Sequence, residues 1–472
     1  MLTRLEVHGF KNLLDLSVDF GPFTCIAGVN GTGKSNIFDA IQFLSLLADK
    51  SMIEAAQEVR GVHGERHGDP RDLFWNGYDA VGLHRMTFAA EMLVPQEVED
   101  DFGRPARPTA SFLRYELELG YTAPAGLEKI GRLSLLAEGL SYINKGEAKA
   151  HLRFPHSAGE FRTKVVTGRR FGAPFISTSK ESGEPVVSIH QDGGSRGQPK
   201  PAAASRAPAT VVSTVTSSDD PTILAARREM QSWRRLALEP SALRSSDRYV
   251  DAKVIGADGA HLPAALYRIA NVVSPDDPDR VYSRVAGRLA DLDGLGVRAL
   301  EVAQDDVREL LTIRLHETSG MTLPARSLSE GTLRFLALCV LLEDPEARGL
   351  ICMEEPENGI HPANLPAMTA LVRDLAVDPL TAPGPDNPFR QVLINTHSPG
   401  VVQLVDPQDL LYADTTAVRT QDGIIARTAR LRPLAETWRA EQANGAYVTK
   451  ADILPYLMTP AGAQLTLDWA AL

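Results

Sequence analysis

The sequence predicts an α/β fold with a mainly parallel core sheet, an antiparallel β subdomain and a helical lobe. Three observations predict this fold. A short apolar strand at 23–28 precedes a glycine-rich loop and an amphipathic helix. Strand and helix patterns alternate again over 346–400, as is typical of parallel sheets. A mostly helical segment at 222–345 separates these two parts, so we expect a core assembled from both ends of the chain.

The elements follow in order along the chain. Residues 2–10 alternate apolar and polar residues, as does LLDLSVDF at 13–20, and both predict strands. The helix after the glycine-rich loop has Ile37, Ile41, Leu44 and Leu47 on one face. Further strand patterns in 82–165 indicate the β subdomain, and a strand pair is predicted near 297–316. The sequence contains no heptad run of coiled-coil length.

The chain of 472 residues is too long for one compact core and divides into five predicted segments. Residues 191–220 are rich in Gly, Ser, Ala and Pro without an apolar period, which predicts a flexible linker or surface insertion. The segments are 1–190 (first half of the core lobe with the β subdomain), 191–220 (linker), 221–345 (helical lobe), 346–420 (second half of the core lobe) and 421–472 (C-terminal extension).

Composition excludes several classes of protein. The net charge of −11 argues against a surface that is basic all over, although a local basic groove stays open. Cys25, Cys339 and Cys352 lie in apolar runs without metal-ligand spacing, which favours buried side chains and a reduced compartment. The first residues, MLTRLEVHGF, carry regular charges and no apolar core, so we do not expect a signal peptide, and no stretch approaches the roughly 20 apolar residues of a membrane span. We therefore expect a soluble, cytoplasmic protein.

GVNGTGKS at 28–35 matches the phosphate-binding pattern GxxxxGK[ST] between a buried strand and a helix. Gly31 and Gly33 allow the backbone to curl so that N–H groups point at phosphate oxygens. Lys34 can reach the β- and γ-phosphates, and the Ser35 hydroxyl can ligate Mg²⁺. The pattern predicts an ATP site with Mg²⁺, in which the loop residues Asn30, Gly31, Thr32, Gly33, Lys34 and Ser35 contact the nucleotide.

Two carboxylates end the next predicted strand, GLICME at 349–354. We assign Glu354 to the metal and Glu355 to the attacking water. A strand end that simply meets charged surface explains the pair about as well when it is taken alone. The phosphate loop in the same chain favours the catalytic interpretation.

Two further motifs are open to structural explanations. In RSLSEGTLRFLALCVLL at 326–342, Ser327 or Ser329 begins a helix, and physics alone favours an ordinary N-capped core helix. His397 follows the buried strand of QVLINTHSPG at 391–400. A histidine there is more often structural than catalytic, but in a phosphate site it can contact the γ-phosphate and the attacking water.

With these motifs in this order, the chain resembles the ABC-type ATPases of the RecF, SMC and OLD group, and in particular stand-alone bacterial AAA family ATPases that lack a Toprim domain. LEVHGFKN, LSEGTLR, EEPENGIHP, THSP, WRRLALEPSALR at 233–244 and DGAHLPAAL at 258–266 carry the resemblance. It implies an ABC-type P-loop NTPase head. It further implies that Asn36 extends the phosphate loop, that Ser329 and Gly331 act on ATP bound to a second subunit, and that His397 is the switch histidine.

This sequence departs from the family pattern at two places. Glu354 stands where most relatives have Asp, which affects metal affinity and turnover. A Q-loop glutamine is not evident: Gln42 falls within the helix after the loop, and Gln96 is a candidate.

The resemblance implies a homodimer that sandwiches two ATP molecules and hydrolyses them slowly. We expect a switch for a separate effector, such as a Toprim-type nuclease, in anti-phage defence. The alternative is an ATPase of DNA repair or chromosome maintenance. A transporter ATPase is disfavoured by the long gap between Lys34 and Ser329, and a fused nuclease by the absence of a DxD pair after His397, since Asp291–Asp293 comes too early.

A basic cluster in the β subdomain leaves DNA contact open. Its ordinary interpretation is a solvated strand face, which we favour about three to one. The cluster consists of Arg153, Arg162, Lys164, Arg169 and Arg170.

Overall fold

The fold is that of a computed structural model, which describes residues 1–59, 69–75, 84–124, 131–168, 170, 172–179, 185–192, 200–204, 207–292, 294–419, 425–443 and 445–458.

A six-stranded sheet forms the centre of the molecule. Five of its strands are parallel and the last, at one edge, is antiparallel. In spatial order the strands are β12 (Arg234–Leu236), β17 (Gly349–Glu354), β18 (Arg390–Thr396), β3 (Phe23–Ala27), β19 (Leu410–Arg419) and β20 (Ile425–Pro433).

An eight-stranded antiparallel sheet lies on one side of this core. Its strands in spatial order are β11 (Lys200–Ala203), β10 (Val186–Ile189), β9 (Ile176–Ser179), β8 (Arg132–Tyr142), β7 (Phe112–Thr122), β4 (Arg85–Leu93), β1 (Leu2–Phe10) and β2 (Leu13–Asp19). A short pair, β5 (Val98–Glu99) with β6 (Pro105–Ala106), stands apart from it.

A third, antiparallel sheet belongs to the helical lobe. It consists of β13 (Asp247–Arg248), β14 (Val297–Asp305), β15 (Leu310–Glu317) and β16 (Thr322–Pro324). The α-helices of the described residues are α1 (Lys34–Leu47), α2 (Met52–Glu58), α3 (Ala148–His151), α4 (Thr163–Val165), α5 (Val211–Thr214), α6 (Pro221–Gln231), α7 (Pro240–Leu243), α8 (Leu262–Val273), α9 (Asp279–Leu289), α10 (Glu330–Glu343), α11 (Leu365–Asp374), α12 (Pro399–Leu404) and α13 (Lys450–Leu457).

The core sheet is covered on both faces, so its central strands β3 and β18 are buried along their whole length. One face, with Ile26 and Leu393, packs with α1 and α6 and with the large antiparallel sheet. The other face, with Cys25 and Ile394, packs with α8 to α12 and the sheet of the helical lobe. The predicted α/β fold with a parallel core, an antiparallel subdomain and a helical lobe is confirmed. Within the described residues no helix exceeds the 14 residues of α1 and α10.

The segment boundaries differ from the predicted ones at two places. β12 falls in the predicted helical segment 221–345, yet it pairs in parallel with β17 and belongs to the core sheet. β20 falls in the predicted C-terminal extension, yet it forms a hairpin with β19 at the edge of that sheet. Both strands join the core because their backbone groups complete the ladders of neighbouring strands. Residues 459–472 of the predicted extension lie outside the described residues.

The prediction of a flexible linker at 191–220 is wrong for the described part of that segment. β11 pairs with β10, and Val211 and Val212 of α5 are buried in the core. Two backbone N–H groups of α5 donate to the buried Glu138 carboxylate. The Gly- and Pro-rich composition concealed these short, well-packed elements. Residues 193–199 and 205–206 lie outside the described part.

Candidate functional site

The predicted site residues lie at the carboxyl ends of three neighbouring parallel strands in the interior of the core sheet. The strand order β17–β18–β3 places Glu354 beside Asn395, and Thr396 beside Ala27, which directly precedes the phosphate loop. Ligands in open α/β sheets bind at the carboxyl ends of strands. The topology therefore brings the phosphate loop together with two motifs that follow it more than 300 residues later, Ser35 and Glu354 being 319 positions apart.

The phosphate loop connects β3 to α1 by a tight turn. Gly31 and Gly33 have φ values of 79° and 95°, a left-handed conformation in which a side chain would be strained. A Cβ at Gly33 would also lie 2.2 Å from the Asn12 amide nitrogen. Asn12 in turn accepts a hydrogen bond from the Asn36 side chain at 2.7 Å, so it supports the loop from outside.

Lys34 is buried and its ammonium group folds back over the loop. It donates to the carbonyls of Gly28 at 2.7 Å and Val29 at 2.9 Å. Burial lowers the pKa of the ammonium, while the nearby carboxylates of Glu355 and Glu354 act in the opposite direction. The cation is thereby held at the start of α1, where the helix N-terminus adds positive potential for an anion.

Ser35 and Glu354 are in direct contact across the sheet edge. The Ser35 hydroxyl donates to Glu354 Oε2 at 3.1 Å, and the other carboxylate oxygen pairs with Arg235 at 2.7 Å. Arg235 also contacts Asp39 at 3.3 Å, and Asp39 pairs with Lys11 at 2.8 Å. A hydroxyl and a carboxylate are hard oxygen donors of the kind that Mg²⁺ prefers, so this donor set fits that ion.

Glu355 and His397 form a second pair beside the first. Glu355 Oε1 lies 2.7 Å from His397 Nδ1, and its other oxygen accepts from the Asn358 side chain at 2.8 Å. The Glu355 backbone has φ 46°, an uncommon conformation for a residue with a side chain, and its N–H donates to the Asn395 carbonyl at 3.0 Å. The turn after β17 thus aims the Glu355 carboxylate at the histidine.

Glu357 anchors the turn that carries His397. Its Oε1 accepts a hydrogen bond from Thr396, whose hydroxyl in turn accepts from the Ser398 N–H at 2.9 Å. Glu357 is buried, and its Oε2 has no hydrogen-bond partner among the described residues. Burial raises the pKa of this carboxyl above its ordinary value.

Ser329 and Gly331 lie at the start of α10. Ser329 is the N-cap and its hydroxyl accepts from the Thr332 N–H at 3.2 Å. Gly331 packs so closely that a Cβ there would lie 2.3 Å from the Gly359 carbonyl. Both residues line a cavity of about 420 Å³ with His361 and Asn364, and the phosphate loop does not contribute to this lining.

Two protein families match the chain. The family described as "AAA domain, putative AbiEii toxin, Type IV TA system" matches residues 189–403, which include the carboxylate, signature and histidine motifs. The family described as "AAA domain" matches residues 4–53, which include the phosphate loop.

The AAA domain matches over both parts of the chain support an ABC-type ATPase of the RecF, SMC and OLD group.

Relatives of this ABC-type ATPase include two proteins named "DNA replication and repair protein RecF". The one from Parabacteroides distasonis is 34% identical over 79 residues, and the one from Phocaeicola vulgatus is 27% identical over 84 residues. These matches cover 15% and 16% of the chain. The chain spans only about a fifth of the length of these relatives, 22% and 23%.

Solved structures that are similar include SMC head domains. A head bound to the C-terminal winged-helix domain of ScpA covers 92% of the chain and 98% of its own length, with a TM-score of 0.47 and 13% identity. The SMC head domain from Thermotoga maritima has the same coverage and identity, with a TM-score of 0.38. At these scores the likeness adds nothing to the topology described above.

The structure brings some predicted residues together and leaves others apart. Lys34, Ser35, Glu354, Glu355 and His397 meet at one sheet edge. Gln96, the candidate Q-loop glutamine, donates instead to the Lys164 carbonyl in the β subdomain, away from the residues that contact Ser35 and Glu354.

The basic cluster is partly occupied by contacts within the chain. Arg153 pairs with Asp19 at 2.8 Å. Arg170 donates to the Asp192 carbonyl at 2.9 Å and stacks over Phe175 at 4.0 Å. These contacts favour the structural interpretation for these two arginines. Arg169, like Asp293 of the Asp291–Asp293 pair, lies outside the described residues.

Sequence reasoning missed three residues of this ABC-type site: Arg235, Asp39 and Glu357. Asp39 lies one helical turn after Ser35 on α1, and this spacing could have indicated it. Glu357 lies within the motif EEPENGIHP but was not assigned a role. For Arg235 the only signal was the pattern WRRLALEP, which does not reveal its partner.

Within the described residues, no helix has the length and apolar character that crossing a membrane requires.

Proposed function

We propose that this ABC-type ATPase binds ATP with Mg²⁺, hydrolyses it, and dimerises around it as a switch for a separate effector. The observation that carries the proposal is the contact between Ser35 and Glu354 beside the Glu355–His397 pair. The Ser35 hydroxyl and the Glu354 carboxylate can bind a metal ion. The Glu355 carboxylate and the His397 imidazole can position an attacking water, and the buried Lys34 lies beside them. This combination is the one that phosphoryl transfer to water requires.

Each residue has a distinct task in this proposal. Lys34 and the first N–H groups of α1 bind phosphate oxygens. Ser35 and Glu354 would hold Mg²⁺, which when bound neutralises the charge of the transferred phosphoryl group. Glu355 orients the attacking water and accepts its proton. His397, paired with Glu355, holds that carboxylate and can donate to the γ-phosphate.

Ser329 and Gly331 take part only if a second subunit is present. They line a cavity to which the phosphate loop of the same chain does not contribute. A C₂ dimer would bring each α10 N-terminus to the ATP of the other subunit, because a symmetric interface exchanges the same two surfaces. Loss of the γ-phosphate would then remove these contacts and loosen the dimer.

For the biological role we propose a switch in anti-phage defence, with a separate effector such as a Toprim-type nuclease. The support is the family description, which names a putative AbiEii toxin of a type IV toxin–antitoxin system. The second candidate is DNA repair or chromosome maintenance, supported by the RecF relatives. Duplex DNA binding that weakens steeply with salt would favour the second role, and a flat salt response would reject DNA contact.

Two variants test the ATPase proposal. Lys34→Ala should abolish ATP binding, because it removes the buried cation of the loop. Glu355→Gln should bind ATP but lower kcat by at least about 100-fold and accumulate an ATP-bound dimer, because the general base is lost. Binding is measured by calorimetry, turnover by phosphate release, and dimerisation by light scattering.

Lys50→Ala is the matched control, since Lys50 lies beyond the other end of α1 and pairs with the exposed Glu58. It should leave binding and turnover unchanged. Hydrolysis by K34A or E355Q at the wild-type rate would overturn the assignment.

A further inference from the structure

Arg235 occupies a junction between the nucleotide site and the helical lobe. It lies on β12, which pairs in parallel with β17 so that Arg235 stands beside Cys352, two residues before Glu354. Only Ala237, Leu238 and Glu239 separate β12 from α7, the first helix of the helical lobe. A side chain here can therefore report the position of that lobe to the carboxylate end of β17.

The Arg235 guanidinium is held from two sides. One nitrogen pairs with Glu354 Oε1 at 2.7 Å and the other contacts Asp39 Oδ1 at 3.3 Å. Asp39 is buried on α1 and is itself fixed by Lys11. Because Asp39 and Lys11 restrain the guanidinium, Arg235 can hold Glu354 in one orientation. A planar guanidinium can bind two carboxylates at once in a fixed geometry. A lysine in its place would be a single charge on a flexible side chain and would orient Glu354 less well.

The pair with Arg235 does not withdraw Glu354 from the metal position. In the same structure the second carboxylate oxygen of Glu354 accepts from the Ser35 hydroxyl at 3.1 Å. A glutamate has one more rotatable bond than an aspartate, so its carboxylate needs an external partner to keep one orientation. Arg235 supplies that partner at the oxygen that does not face Ser35.

We propose that Arg235 is a positioning residue that presents Glu354 to the metal beside Ser35 and makes this presentation depend on where the helical lobe sits. The proposal rests on the proposed ATPase function. The β12–α7 connection, Arg334 and Leu338 of α10, and residues 353–356 and 358 surround a cavity of about 190 Å³. This gap leaves the connection room to shift, and a shift of β12 would move the guanidinium away from Glu354.

The test compares Mg²⁺-dependent and Mg²⁺-independent nucleotide binding in wild type, Arg235→Ala and Arg235→Lys. Calorimetry with the non-hydrolysable analogue AMP-PNP is carried out with Mg²⁺ and with EDTA. In R235A the affinity gained from Mg²⁺ should fall about 10-fold, as for other residues that orient metal ligands, with the EDTA affinity unchanged. R235K should restore part of the gain, because it keeps the charge without the two-sided contact.

A second comparison separates positioning from folding. In the Glu354→Asp variant the carboxylate is one methylene shorter and contacts Arg235 less. Adding R235A to this variant should therefore lower the affinity gained from Mg²⁺ by less than about 3-fold. Arg308→Ala, in an exposed turn with Asp305, is the control and should change neither affinity nor melting temperature.

The possible outcomes distinguish this inference from the ATPase proposal. If wild type does not bind AMP-PNP, the ATPase proposal fails. If wild type gains affinity from Mg²⁺ and R235A gains as much, Arg235 is not a positioning residue. An increased gain in R235A would mean that Arg235 competes with the metal, and would also overturn the inference.

Discussion

Glu138 shows how one buried carboxylate holds a segment that composition alone assigns to a linker. It is 1% exposed on β8 and accepts from the N–H groups of Val211 at 2.6 Å and Val212 at 2.8 Å. The Tyr115 hydroxyl donates to it at 3.1 Å. Burial raises the pKa of Glu138 from 4.5 to about 7, although these hydrogen bonds act in the opposite direction.

This pKa predicts that the protein loses stability as pH rises towards neutrality. The folded state binds the proton more tightly than the unfolded state, so the contribution is complete below pH 4.5 and is lost as pH rises through about 7. A shift of this size corresponds to roughly 3 kcal/mol of unfolding free energy. Glu138→Gln should flatten the dependence, as measured by urea unfolding at about pH 5 and about pH 8.

The exposed Glu160 offers a control for this titration. Glu160→Gln should leave the pH dependence of the unfolding free energy as it is in wild type. If the unfolding free energy of E138Q depends on pH as it does in wild type, Glu138 is ionised in the folded protein and stabilised by its three hydrogen-bond donors.

At the residue scale, the sequence could identify the site residues that lie within contiguous motifs. Lys34, Ser35, Glu354 and His397 follow strand ends and carry recognisable neighbours. Arg235 could not be paired with Glu354, because the contact joins residues 119 positions apart (354 − 235) and depends on which strand lies beside β17. The choice between Ser327 and Ser329 was also open in the sequence. The structure makes Ser329 the N-cap.

At the element scale, the length of each helix or strand decided whether it could be predicted from the sequence. α1 and β3 have enough residues to show a helical period or an apolar run. β12 has three residues and α5 has four, too few for any period, and both are stabilised by partners distant in sequence. β12 depends on the ladder of β17, and α5 depends on Glu138.

The start of α10 carries the element-scale prediction. Ser329→Ala should lower the unfolding free energy by about 1 kcal/mol, because the helix loses its capping acceptor. Ser329→Asn keeps a capping oxygen and should retain wild-type stability. Both variants should lose ATP hydrolysis if the hydroxyl acts on the ATP of a second subunit. Thermal or urea unfolding and phosphate release measure the two effects separately.

This pair of variants separates the structural role of Ser329 from its proposed role in the dimer. Gly331 cannot serve this purpose, since any side chain there would collide with the Gly359 carbonyl and displace the helix. Full hydrolysis by S329N would confine Ser329 to helix capping.

At the scale of the whole molecule, both ends of the chain build one sheet. β3 comes from the first 30 residues, and β17 to β20 come from the last third of the chain. The repeated strand–helix alternation was enough to predict this, because parallel strands require crossover connections. The identity of the two edge strands, β12 and β20, could not be predicted, because the sequence of an edge strand carries little apolar pattern that identifies its neighbour.

The composite dimer predicts that two inactive variants restore each other. In a symmetric sandwich each ATP contacts the phosphate loop of one subunit and Ser329 of the other. A mixed dimer of Lys34→Ala and Ser329→Asn then has one site with both defects and one site with none. Each mixed dimer therefore retains one intact site of two, so the mixture should recover ATP hydrolysis that neither variant shows alone.

The measurement is phosphate release after the two purified variants are mixed and allowed to exchange subunits. A mixture of K34A with Glu355→Gln is the matched control. Both defects concern the same ATP: Lys34 binds it and Glu355 activates its water from the same subunit. Each site of a mixed dimer therefore keeps one defect, and no activity should return. Recovery in the control, or none in the K34A and S329N mixture despite proven mixed dimers, would contradict a site shared between subunits.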